Sequence, residues 1–109
     1  MNLENEKLIQ LLKVSDPRIV IDNLKKYLIN NNIKDDIRLY ISYKKNKKYM
    51  INVNGKSIHF GNIHYEDFTK HNNQKRRDNY LKRTANIKGN WKSNIFSPNN
   101  LSRYLLWNK

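Results

Sequence analysis

Cysteine is absent from this chain, which excludes disulfides and thiolate metal sites and fits a reducing compartment. Proline occurs twice and glycine three times, and no repeat, heptad array or low-complexity tract is present. No long apolar run exists either, and the first residues include acids, which argues against a signal peptide or a membrane span. The expected setting is intracellular, without membrane association. Acidic side chains are the scarcest charged group: nine Asp and Glu face 22 Lys and Arg, for a formal net charge of +13.

That charge is unevenly placed. Residues 1–36 carry six cations and six acids, whereas residues 37–109 carry sixteen cations against Glu66, Asp67 and Asp78. A neutral end joined to a polycationic end makes a directed positive field, and the partner it implies is a polyanion. The basic part also holds both Trp, all three His and most of the Tyr, so it reads as a folded binding surface and not a bare cationic tail. A length of 109 residues suits one domain, here a helical part (1–34) and a basic α+β part (35–109). A mean hydropathy of −0.95 points to a thin core and a wet surface.

Leu3, Leu8, Leu11 and Leu12 trace a helical stripe ending near Val14, with Glu4 and Glu6 suited to the positive end of the helix dipole. Asp16-Pro17 is a helix-start signature, and Val20, Ile21, Leu24, Tyr27 and Leu28 repeat at the helical period until Asn30-Asn31-Asn32. Because these helices add no net charge, they are expected to be dispensable for polyanion affinity unless they complete the core. From Ile37 the period becomes two: Ile37, Leu39, Ile41 and Tyr43 face the core, with Tyr40 left free. Asn54-Gly55 predicts a type I′ hairpin that pairs Val53 with Lys56, Ile51 with Ile58 and Tyr49 with Phe60. The architecture expected is α+β: two N-terminal helices, a three-stranded antiparallel meander, a basic helix and a short terminal helix beginning at Ser97-Pro98, with Leu101, Tyr104, Leu105 and Trp107 as its anchoring face.

The basic helix is expected somewhere in His64 to Ile87, at least from Asn72 onward. At about 100° per residue Asn72, Arg76, Asn79, Arg83 and Asn86 form one narrow stripe flanked by Lys75 and Lys82, while Tyr80, Leu81, Thr84, Ala85 and Ile87 pack on the other side. Arg and Lys neutralise phosphates, and Asn bonds base edges or backbone, so this face suits nucleic acid. The blander reading is a solvated helix face, but such faces mix charge signs, and Asp78 is the only acid after Asn72. Arg77 falls on the packing side, where its guanidinium is expected to reach Asp78, Glu66 or Asp67. The lysine loop, Lys44, Lys45, Lys47 and Lys48, is a second phosphate-contact candidate, although charged hairpin tips also protect sheet edges. Tyr49, Phe60, Tyr80, Trp91 and Trp107 are assigned to the core, leaving Tyr40 and Tyr65 free to stack on bases.

His59, His64 and His71 match no standard zinc spacing, and neither a positioned nucleophile nor a carboxylate cluster is apparent, so no metal, cofactor or enzymatic activity is expected. The run Gly55-Lys56-Ser57-Ile58-His59-Phe60-Gly61, then Tyr65, Asp67, Thr69 and His71, then Arg76-Arg77, Tyr80, Arg83 and Trp91, and the terminal Leu105-Leu106-Trp107 resembles small basic proteins of unknown function from nucleocytoplasmic large DNA viruses of the mimivirus and phycodnavirus type. The resemblance spans residues 49–109; where those proteins have a Gly-rich approach to the terminal motif, this chain has Phe96-Ser97-Pro98-Asn99-Asn100. It implies a viral origin, a compact α+β domain and a place in the virion or in host-cytoplasm viral factories. The expected function is sequence-tolerant binding of DNA or RNA. The alternative is a virion structural or adaptor protein whose basic face meets acidic viral proteins while the neutral helices dock a second partner.

Overall fold

A computed structural model describes residues 3–109, with side chains from Glu6 onward, so the stripe position of Leu3 and the dipole role of Glu4 lie outside the described side chains. The fold is α+β. Helix α1 (Leu3–Leu12) and helix α2 (Pro17–Asn30) precede a sheet of β1 (Tyr40–Ile41), β2 (Lys47–Val53) and β3 (Lys56–Asn62) in the order β1-β2-β3, both pairs antiparallel. Helices α3 (Phe68–His71), α4 (Gln74–Ala85) and α5 (Pro98–Leu101) follow, the last continuing as a π-helical turn over Ser102–Leu106.

The local signals act as their chemistry requires. Asp16 caps α2 by accepting from the Arg18 amide, Pro17 fills the first turn, and Val20, Leu24, Tyr27 and Leu28 are buried. Asn54 (φ 51°) and Gly55 (φ 79°) make the hairpin turn, and β2 pairs with β3 in the expected register, Tyr49 opposite Phe60 and Ile51 opposite Ile58. One core joins Leu11 and α2 to Tyr49, Ile51, Phe60 and Ile63 of the hairpin and to Leu101, Leu105 and Leu106 at the C-terminus. The π-helical turn buries Arg103 together with Leu105 and Leu106.

Four expectations are corrected here. The first strand keeps only two ladder residues: Ile37 and Leu39 pack against the core from an irregular segment, whereas Ile41 is 42% and Tyr43 72% exposed. The physical reason is that Ser42, not Tyr43, turns inward to bond His59 Nδ1 at 2.7 Å, and Tyr43 packs edge-on over the His59 ring. His59, which alternation with Ile58 and Phe60 places on the non-core face of its strand, is buried all the same, and its desolvation holds the imidazole below the ordinary histidine range. Helix α1 buries only Leu11 of its described stripe; Leu8 and Leu12 remain exposed because α2, not α1, carries the main helical contact with the C-terminal segment. Finally, the basic helix is broken: Asn72 adopts the left-handed conformation (φ 54°) that ends α3, and Asn73 caps α4 by accepting from the Arg76 amide. Asn72 is thus a helix terminator and not the first residue of the Arg/Asn stripe.

Candidate nucleic-acid interface

Between the open end of the hairpin and α4 lies a cleft of about 660 Å³, walled by Lys47, Asn62 and Tyr65 on one side and Arg76, Asn79 and Arg83 on the other. The spacing of Arg76, Asn79, Tyr80 and Arg83 along α4 turns all four toward it. Tyr80 and Trp107 form its floor, stacked with ring centroids 4.2 Å apart and planes 9° from parallel. Burial raises the Tyr80 hydroxyl above the usual tyrosine range. Arg83 lies over the Tyr80 ring at 5.4 Å and has no carboxylate within ion-pair distance among the described residues. Arg76 meets Glu66 at 3.4 Å, a half-exposed pair of the kind that contributes little to stability and opens readily to a competing anion.

A buried polar chain holds the cleft's base. The Lys48 ammonium, 3% exposed, donates to Asp67 at 3.1 Å, and Asp67 also accepts from the Thr69 amide and hydroxyl. Thr69 Oγ1 accepts from the Asp16 amide at 2.9 Å and meets Ser15 Oγ, to which the Tyr49 hydroxyl donates at 2.7 Å. Burial lowers the Lys48 pKa, and the Asp67 charge opposes that shift. Tyr49, expected as a core residue, Asp67, expected as an acid partner of Arg77, and Thr69 are therefore the joint between the α1–α2 turn, the hairpin and α3.

The C-terminus is fixed by a second cation. Arg77 donates to the carbonyls of Trp107 (2.9 Å) and Asn108 (2.7 Å) and approaches Asp78 at 3.6 Å. Of its three expected acid partners only Asp78 is met, and that contact is secondary to the carbonyls. Arg103 is likewise internal, donating to Leu81 O at 2.8 Å and to the Thr84 hydroxyl, with its guanidinium 5.4 Å from the Trp91 ring.

The structure thus divides the sequence candidates. Lys47, Arg76, Asn79 and Arg83 converge on one cleft, uniting the end of the lysine loop with the helix stripe. Lys48 is corrected from a phosphate contact to a buried ion-pair partner. Lys44 and Lys45 are exposed on the β1–β2 connection, and Lys75 and Lys82 lie on α4 flanks outside the cleft lining. Asn86 is the C-cap of α4 and, with Asn72, leaves the stripe. Tyr65 and Tyr40 are exposed as expected, at 67% and 46%, but only Tyr65 borders the cleft. Tyr80 and Trp107, assigned to the core from sequence, are packed on each other and also line the cleft. The histidines have separate neighbours: His64 meets Asn46, His71 accepts from the Asn73 amide, and no three His, Asp or Glu side chains cluster among the described residues.

Residues 37–84, from β1 through most of α4, match a family of unknown function (DUF5754). That segment supplies every cleft residue except Ser102, Leu106 and Trp107. No curated protein and no solved structure matches the chain.

Proposed function

We propose that this chain is a sequence-tolerant nucleic-acid-binding protein, acting without catalysis, in the particle or the cytoplasmic factory of a large DNA virus. The observation that carries the reading is the convergence of Lys47, Arg76 and Arg83 on one concave surface that also offers the amides of Asn62 and Asn79. Guanidinium and ammonium groups neutralise phosphates without reading sequence, and the field of a +13 chain steers a polyanion toward them. The viral setting is supported by the resemblance of residues 49–109 and not by the cleft.

Replacing both Arg76 and Arg83 with Gln keeps helix propensity and, since both side chains are solvent-facing, should leave stability nearly unchanged. Binding should weaken across all sequences. The log-log salt slope should shrink by about 0.7 per residue on single strands or about 0.9 on duplex DNA. Arg77→Gln should do the reverse, costing about 1.5–3 kcal/mol of stability through its lost carbonyl contacts while leaving the slope intact. Anisotropy titrations over a salt series check the slopes and urea denaturation checks the stabilities, and an unchanged slope and affinity in the double variant defeats the proposal.

A second reading, a virion structural or adaptor protein whose basic face meets acidic viral proteins while the neutral helices dock a second partner, draws on a separate apolar groove in which Ile29 is 73% exposed beside Ile21, Ile33, Asp35 and Asp36. In that case the basic face should bind an acidic polypeptide such as polyglutamate more tightly than a nucleic acid of equal charge at the same salt.

A further inference from the structure

Resting on the nucleic-acid reading, we infer that the cleft takes a single strand, with one base stacked on the Tyr65 ring and its flanking phosphates held by Lys47, Arg76 and Arg83. Three features select a single strand over a double helix. The first is shape: a concavity of about 660 Å³ is of the size that engulfs a small molecule, so a base with its sugar-phosphate enters where a convex duplex does not. The second is the aromatic surface. Tyr65 is 67% exposed at the cleft's edge, and the stacked Tyr80–Trp107 pair forms an apolar floor beneath it. A duplex keeps its bases stacked on one another and gives these rings nothing to cover, whereas unpaired bases of any sequence present a π-face.

The third feature is the interleaving of charge and ring. Lys47 and Arg83 line the same cleft as Tyr65, and Arg83 is already held over the Tyr80 face at 5.4 Å, which leaves its outer donors to a phosphate. Asn79 offers a donor and an acceptor, and Asn62, whose Oδ1 already accepts from the His64 amide at 2.9 Å, offers its amide donors, so the pair can bond the edge of whichever base enters. Glu66 is the one carboxylate of the cleft, and its weak pair with Arg76 is the contact that an entering phosphate displaces.

The test compares fluorescein-labelled 12-nucleotide DNA and RNA strands of mixed sequence with the matching duplex, by anisotropy over a salt series, on wild type, Tyr65→Ala, Tyr65→Phe and the Arg76/Arg83 double variant. Either single strand should bind more tightly than the duplex. Tyr65→Ala should weaken single-strand binding by roughly 5- to 150-fold, the equivalent of about 1–3 kcal/mol per stacked base, with an unaltered salt slope and unaltered duplex affinity. Tyr65→Phe should bind as wild type, and thermal melts should place wild type and both Tyr65 variants together, since the ring is solvent-exposed. A preference for duplex, or a Tyr65→Ala variant with wild-type single-strand affinity, overturns the inference. If the salt slope still depends on Arg76 and Arg83 in that event, the nucleic-acid reading stands and only its single-strand form falls; if no strand binds, both fall.

Discussion

Asp67→Ala is expected to cost the domain about 3–5 kcal/mol, because it leaves the Lys48 ammonium buried without a counter-charge. Against a total stability of about 5–15 kcal/mol for a domain of ordinary stability, that loss removes a large part of the folded state's margin. The effect is more than one ion pair, since Asp67 also accepts from the Thr69 amide as the cap of α3, and Thr69 in turn receives the Asp16 amide. Adding Lys48→Met should recover part of the loss, because the double variant no longer buries an unpaired cation. Urea denaturation of the two single variants and the double closes the cycle. An Asp67→Ala protein within about 0.5 kcal/mol of wild type would mean that Lys48 escapes to water and that the buried chain does not hold the cleft's base.

Removal of residues 1–34 is expected to unfold the remainder. The excised part supplies Leu11, Val20, Leu24, Tyr27 and Leu28, five of the twelve buried apolar side chains among the described residues. At about 1.5–3 kcal/mol for each fully buried side chain the loss is of order 7–15 kcal/mol, comparable with the whole stability of a small domain. Charge balance suggests that these helices are dispensable for binding, but it says nothing of where their apolar faces go. Tyr27 packs on Tyr104 with ring centroids 4.8 Å apart, and its hydroxyl donates to Ile95 O at 2.6 Å, so α2 is part of the floor on which the C-terminal segment rests. Far-ultraviolet circular dichroism and amide dispersion of a 35–109 fragment check this, and a cooperatively melting fragment would contradict it.

The hairpin and α2 were legible because each is set by neighbours in sequence: Asn54-Gly55 fixes both the turn and the register, and Asp16-Pro17 fixes the helix start. The failures share a different cause. Lys48 reads as a loop cation because its partner, Asp67, lies nineteen residues away, and only the scarcity of acids in the basic part hinted that Asp67 has an assigned place. Periodicity carried the stripe through Asn72 because Asn tolerates both helical and left-handed backbone, and nothing local decides between them. Trp107 enters the cleft through long-range contacts: the Arg77 bond to its carbonyl and its stack on Tyr80. The charged half of the site was therefore readable from spacing on α4, whereas the aromatic floor and the meeting of α4 with Lys47 are products of tertiary packing.

The central claim is that one cleft, and not the cationic surface at large, receives the polyanion. Titration of isotopically labelled full-length protein with a short single strand, followed by amide chemical shifts at moderate salt, tests it most directly. Saturable shifts are expected at Lys47, Asn62, Tyr65, Arg76, Asn79 and Arg83, with little change at the exposed Lys25, Lys26 and Lys56. Shifts spread over all exposed lysines, or centred on the turn at Lys44 and Lys45 with the cleft silent, would contradict it.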